Sequence, residues 1–117
     1  MDYYFRLYFN RRKQFAEVFL WEVHPNTFAN WGGGRWGYWQ PVQDRTKYGK
    51  FGELHFVKSR IRIDVIVHEL DHLRTDYMWS IGETITRRNE EKYAKFLDEL
   101  VRRFVRELRK AEPKVRL

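Results

Sequence analysis

The sequence predicts an α+β domain, a small and mainly antiparallel sheet packed on two helices. Tyr3 to Phe9 is aromatic and β-prone, and Gly52 to Val57 alternates along the chain with the period of a strand. Between Arg60 and Trp79, and again toward Ala111, apolar residues instead recur every three or four positions, the period of a helix. With 43% hydrophobic and 18% aromatic residues in 117, the chain is too apolar for disorder and long enough for one core. Neither an internal repeat nor a linker divides it, so residues 1–117 are read as a single domain.

The elements follow in order. Tyr3 to Phe9 is the first strand. Asn10 can cap a short helix that turns Arg11, Arg12 and Lys13 outward and Phe15, Val18 and Phe19 inward. A hairpin strand from Phe15 to Val23 fits almost as well. His24-Pro25-Asn26 ends either one. Three consecutive glycines make the aromatic stretch from Trp31 to Trp39 a loop, with a short strand only around Tyr38 to Val42. Lys47 to Lys50 reads as a turn before the strand from Gly52 to Val57, in which Leu54 and Phe56 share a face.

Ser59 is placed to cap a helix from Arg60 to Trp79, whose core face is Ile63, Ile66, Leu70, Leu73 and Tyr77. Ile81-Gly82 breaks it. Thr84 or Thr86 restarts a long amphipathic helix to about Ala111, striped by Tyr93, Ala94, Leu97, Leu100, Val101, Phe104 and Leu108, and Pro113 stops it.

Composition narrows the function classes. The chain has no cysteine, which removes disulfides and thiolate metal sites. It lacks an apolar run of membrane-spanning length, and Asp2 followed by Arg6, Arg11 and Arg12 is not a signal peptide, so a soluble, cytoplasmic protein is expected. The net charge of +7 is concentrated near the C-terminus. That basic helix face leaves nucleic acid or an acidic partner as an alternative role, although no nucleic-acid motif accompanies it.

Chemistry is concentrated in His68-Glu69-Leu70-Asp71-His72. Residues four apart on a helix stand about 40° apart around its axis, so both imidazoles can reach one ion. Glu69 flanks that face, where it can take a proton from water at the metal. The histidines lie nearly opposite the core stripe, as a helix between a core and a metal requires. A hydrolytic zinc site wants a third protein ligand and an open position. Glu90 and Glu91, 18 and 19 residues beyond His72, are the acidic pair opening the next helix. The helical wheel sets Glu90 near the centre of the apolar stripe and Glu91 at its edge.

His68-Glu69-Leu70-Asp71-His72 followed by Asn89-Glu90-Glu91-Lys92-Tyr93-Ala94 resembles the zincin superfamily, in its glutamate-ligand branch. It is also similar to the short zincin-like metallopeptidase domains of phage and prophage genomes, over about residues 51 to 101. The resemblance implies a minimal zincin-like domain with Zn2+ held by His68, His72 and a glutamate that a small residue follows three positions later. Glu91 with Ala94 matches that pattern; Glu90 with Tyr93 does not and stands as the alternative. It further implies a metallopeptidase in which Glu69 is the general base, acting on a peptide or protein. The strand Gly52 to Val57 is similar to the edge strand along which zincins lay an extended peptide.

Other candidates stay open. Tyr77, Tyr93, His55 or an arginine could steady an oxyanion. His24 and His55 read as structural or exposed. Asp76 reads as a hydrogen-bonding support or a solvated charge, and Asp71 as exposed. Trp31, Trp36 and Trp39 either cover a core edge or form a platform over the cleft.

Overall fold

A computed structural model describes residues 3–22, 36–43 and 48–117. Four strands, β1 (Tyr3–Phe9), β2 (Gln14–Trp21), β3 (Gly37–Pro41) and β4 (Gly49–Val57), precede two helices, α1 (Ile63–Ser80) and α2 (Glu90–Ala111). The architecture is α+β as expected. The sheet order is β1-β2-β4-β3, with β1–β2 and β3–β4 antiparallel but β2–β4 parallel, so the sheet is mixed.

Residues 14–21 form a strand, not the Asn10-capped helix. Gln14, Ala16, Val18 and Leu20 alternate with half-buried Phe15, Glu17, Phe19 and Trp21, so Phe15 and Phe19 lie on the face away from the core. The alternation beats the helical reading because the chain reverses at once after β1. Asn10, Arg11 and Arg12 have φ of 52°, 55° and 64°, and the Lys13 amide closes the turn on the Asn10 carbonyl at 3.1 Å. Asn tolerates left-handed backbone, whereas each arginine there costs about 1–2 kcal/mol. Arg11→Gly should therefore stabilise the fold by about 0.5–1 kcal/mol, read as a raised denaturation midpoint at unchanged m-value. A lowered midpoint would refute the strain.

One face of the sheet carries the core. Phe5, Leu7 and Phe9 of β1, Val18 and Leu20 of β2, and Leu54 and Phe56 of β4 meet Ile66, Leu70 and Leu73 of α1. Phe104 seats α2 edge-on against Phe5 and Phe56, with ring centroids 5.4 and 5.2 Å apart. Two glycines allow close approach. The ring of Trp39 on β3 lies over Gly52 of β4, and Gly37 lets β3 reach Val65 and Glu69 of α1.

Several boundaries differ from expectation. Residues 58–60 form a 3-10 turn, and α1 starts at Ile63 after Arg62, with no side-chain cap from Ser59. Ile61 is 5% exposed in the core, whereas Ile63, expected on the core face, is 46% exposed. The turn shifts the helix start by three residues, so the wheel does not extend back across it. The strand before the helix begins at Gly49, within the expected turn. α2 begins at Glu90, because Asn89 holds a turn against it: its side chain accepts from the Thr86 amide at 2.7 Å and donates to the Thr84 carbonyl at 2.9 Å. Ala94 is exposed, and Phe96 packs on the core in its stead. His24, Pro25, Trp31 and the triple glycine fall outside the described residues. No described helix is long and apolar enough to cross a membrane.

Candidate metal centre

The sequence builds the site on the middle of α1. Ile66, Leu70 and Leu73 fix one side of the helix in the core, which turns His68 and His72 to solvent. Their Nε2 atoms lie 3.3 Å apart. A tetrahedral ion with Zn–N bonds of 2.0–2.1 Å spans two nitrogens about 3.3 Å apart, so the spacing fits one shared metal. The rings stand nearly perpendicular, at 87°. With Glu69 they form a group whose ligand atoms all lie within 4.8 Å of one another.

Glu69 is only 3% exposed, and among the described residues it has no hydrogen-bond or ion-pair partner. Burial raises its pKa, while the neighbouring His68 and His72 pull it down. Gly37 sets its depth. A Cβ there would stand 2.9 Å from Glu69 Cγ and 3.3 Å from its Oε2. Sequence reasoning did not single out Gly37, because its role depends on strand and helix meeting in space.

The two downstream glutamates are not brought to the histidines. Glu90 and Glu91 occupy the exposed first turn of α2, with Glu91 4.0 Å from Lys95, and neither belongs to the group. α2 packs along the flank of α1 that carries Val67, where Leu97 and Val101 line the same hollow. By helix geometry that flank is about 100° or more around the axis from His68 and His72.

The candidate oxyanion partners also lie elsewhere. The Tyr93 hydroxyl donates to Glu83, and Tyr77 packs into the core cluster, stacked on Phe96. Asp76 accepts a hydrogen bond from Trp39 Nε1 at 2.5 Å, which ties α1 to β3. Trp39 thus covers the core edge, while Trp36 is half-buried beneath the Arg60 guanidinium at 4.9 Å. Asp71 is paired with Arg74 rather than simply solvated.

His55 is structural, as expected, and its setting predicts a pH response. Trp21 Nε1 donates to its Nδ1 at 3.0 Å, which leaves Nε2–H to donate to Glu53 at 2.9 Å. Its ring stacks on Phe19. Burial lowers the His55 pKa more than Glu53 raises it. Unfolded, the ring titrates near its ordinary value of about 6.5. The neutral ring's contribution is therefore complete above that pH and declines below it, until the folded-state pKa is passed. Denaturation in chelator at pH 7 and pH 5 should show lower stability at pH 5, and His55→Asn should flatten the difference. Equal slopes in both chains would remove His55 as the cause.

The strand from Gly52 to Val57 is not an edge. β4 lies between β2 and β3, so both of its sides are already paired. The edge beside α1 is β3. Trp36 and Val42 bond to β4, which by alternation turns the Gly37 and Trp39 backbone groups to the other side. Pro41, lacking an N–H, suits that side. Among the described residues no strand pairs there.

Comparison with known proteins returned no matching family model, no matching curated protein and no matching solved structure.

Proposed function

We propose that the chain is a zinc-dependent hydrolase, a zincin-like metallopeptidase, with His68 and His72 as metal ligands and Glu69 as general base. The observation that carries this reading is the 3.3 Å Nε2 separation, with a Glu69 carboxylate oxygen within 4.8 Å of both imidazoles on a side chain only 3% exposed. A zinc ion, when bound, supplies a Lewis acid that polarises a carbonyl and lowers the pKa of water toward about 7. Glu69 accepts the proton of the attacking water and returns it to the departing amine. Burial raises the Glu69 pKa against the lowering by His68 and His72, which makes the carboxylate a stronger base toward that proton. Gly37 keeps the carboxylate beside the histidines, and the open side of β3 offers Gly37 and Trp39 backbone groups to an extended peptide.

The third ligand in this reading is Glu91, with Glu90 as the alternative; it rests on the resemblance alone, and either would have to move to the histidines from the exposed first turn of α2. Zinc titration of Glu91→Gln and Glu90→Gln decides it. A ligand's loss should weaken zinc by more than about a hundredfold, beyond the range of a supporting group. Unchanged affinity in both would strike both glutamates and leave a two-histidine half-site. A zinc content below about a tenth of an equivalent in the unaltered chain, after adding zinc back, would sink the metal reading itself.

The alternative, a non-catalytic module that binds nucleic acid or an acidic partner through α2, has less support. Glu99 engages Arg102 and Arg103, and Glu107 engages Lys110 and Arg106, so much of that basic face is internally matched. Weak or absent salt-sensitive binding to DNA is the expected result.

A further inference from the structure

A second site lies away from the histidine pair. The β1–β2 turn, the end of α1 and the first turns of α2 enclose a cavity of about 370 Å³. That is the size of a small-molecule pocket. We propose that this cavity binds a carboxylate carried on a flat apolar body, an arylalkanoate in chemical terms.

The walls select the apolar body. Phe9, Tyr77, Tyr93 and Phe96 line the cavity and are packed against one another. Tyr77 stacks on Phe96 with centroids 5.1 Å apart, and Phe9 meets Tyr77 edge-on at 5.7 Å. Phe9 and Tyr93 are each 1% exposed and back the cavity from the core, while half-buried Tyr77 and Phe96 present ring surface to it. A flat ring extends such a cluster by the same stacked and edge-on contacts.

The rim selects the charge. Arg11, Lys92, Lys95 and Arg103 line the same cavity, against the single carboxylate of Glu99. Glu99 is itself matched by Arg103 at 2.8 Å and Arg102 at 3.1 Å. Lys92 and Lys95 have loose ionic partners, Glu83 at 3.8 Å and Glu91 at 4.0 Å, and Lys92 also lies over the Tyr93 ring at 5.1 Å. Arg11, an exposed side chain, has no hydrogen bond or ion pair among the described residues. It is also one of the residues held at positive φ, at 55°. The left-handed turn thus sets an exposed guanidinium at the mouth of an apolar cavity. Its guanidinium can take a carboxylate through two parallel N–H bonds.

The test is a chemical-shift titration of the full chain, with chelator present so that the histidine pair takes no part. The probes are 3-phenylpropionate, its neutral amide, and a short peptide ending in phenylalanine. The acid should bind saturably at about 1 mM or tighter, shifting Tyr77, Tyr93 and Phe96, and the amide about tenfold more weakly. Whichever of the free acid and the peptide binds tighter names the source of the carboxylate. Arg11→Gln should bring the acid down to the amide's affinity. Arg11→Gly should do the same in a more stable chain, which separates loss of binding from loss of fold. Equal binding of acid and amide, an unchanged affinity in Arg11→Gln, or no saturable shift up to about 10 mM overturns the proposal.

Discussion

Exchange of Glu69 for Gln should slow hydrolysis by about 10²–10⁴-fold and leave zinc in place. Gln has nearly the shape of Glu but cannot accept the proton. The change therefore keeps the helix packing, and His68 and His72 remain with their Nε2 atoms 3.3 Å apart. The buried setting sharpens the expectation, because a neutral amide loses less on burial than a carboxylate does, and the residue is only 3% exposed. Glu69→Gln should thus be as stable as the unaltered chain, or more so, while losing turnover. Stability gained at the expense of activity marks a functional residue. Turnover of a fluorogenic peptide library, read alongside metal analysis, checks both halves. Retained activity would remove Glu69 as the base; lost zinc would show instead that it acts as a ligand.

The largest effect on stability is expected at Gly52. A Cβ there would come within 2.3 Å of the Trp39 ring and 2.7 Å of the Gln40 carbonyl. The ring cannot withdraw freely, because Trp39 is buried, stacks on Phe51 at 6.0 Å and donates to Asp76 at 2.5 Å. Gly52→Ala should cost about 2–3 kcal/mol, seen as a fall in Tm of roughly 10 °C or more. Gly37→Ala makes a useful contrast. There the added methyl meets the Glu69 side chain, which can turn aside, so the smaller loss should fall on stability and the larger on turnover. A Gly52→Ala chain with unchanged Tm would show that β3 moves as a unit and that Trp39 does not pin it.

Local pattern carried much of this molecule. The aromatic, β-prone run of Tyr3–Phe9 and a 3.6-residue stripe through Ile66, Leu70 and Leu73 are properties of neighbours in sequence, and a strand and a helix formed there. Residues 14–21 were harder, since Phe15, Val18 and Phe19 satisfy a helical stripe as well as a strand. Three left-handed residues settled that choice, and neither arginine signals such a backbone. Boundaries failed where a short tertiary turn intervened, at Lys58–Arg60 and before Glu90.

His68, Glu69 and His72 form a half-site that the sequence determines alone, because helix geometry places residues four apart over one another wherever the helix lies. The same spacing and the core stripe opposite were sufficient to face both imidazoles outward. Only the tertiary structure decided what surrounds them. It put Gly37 of β3 against Glu69, buried β4 between two strands, and set α2 on the flank of α1 away from the histidines. Those outcomes depend on which strand pairs with which and on the side from which a helix packs. Both are fixed by contacts between residues far apart in the chain, and no periodicity along it records them.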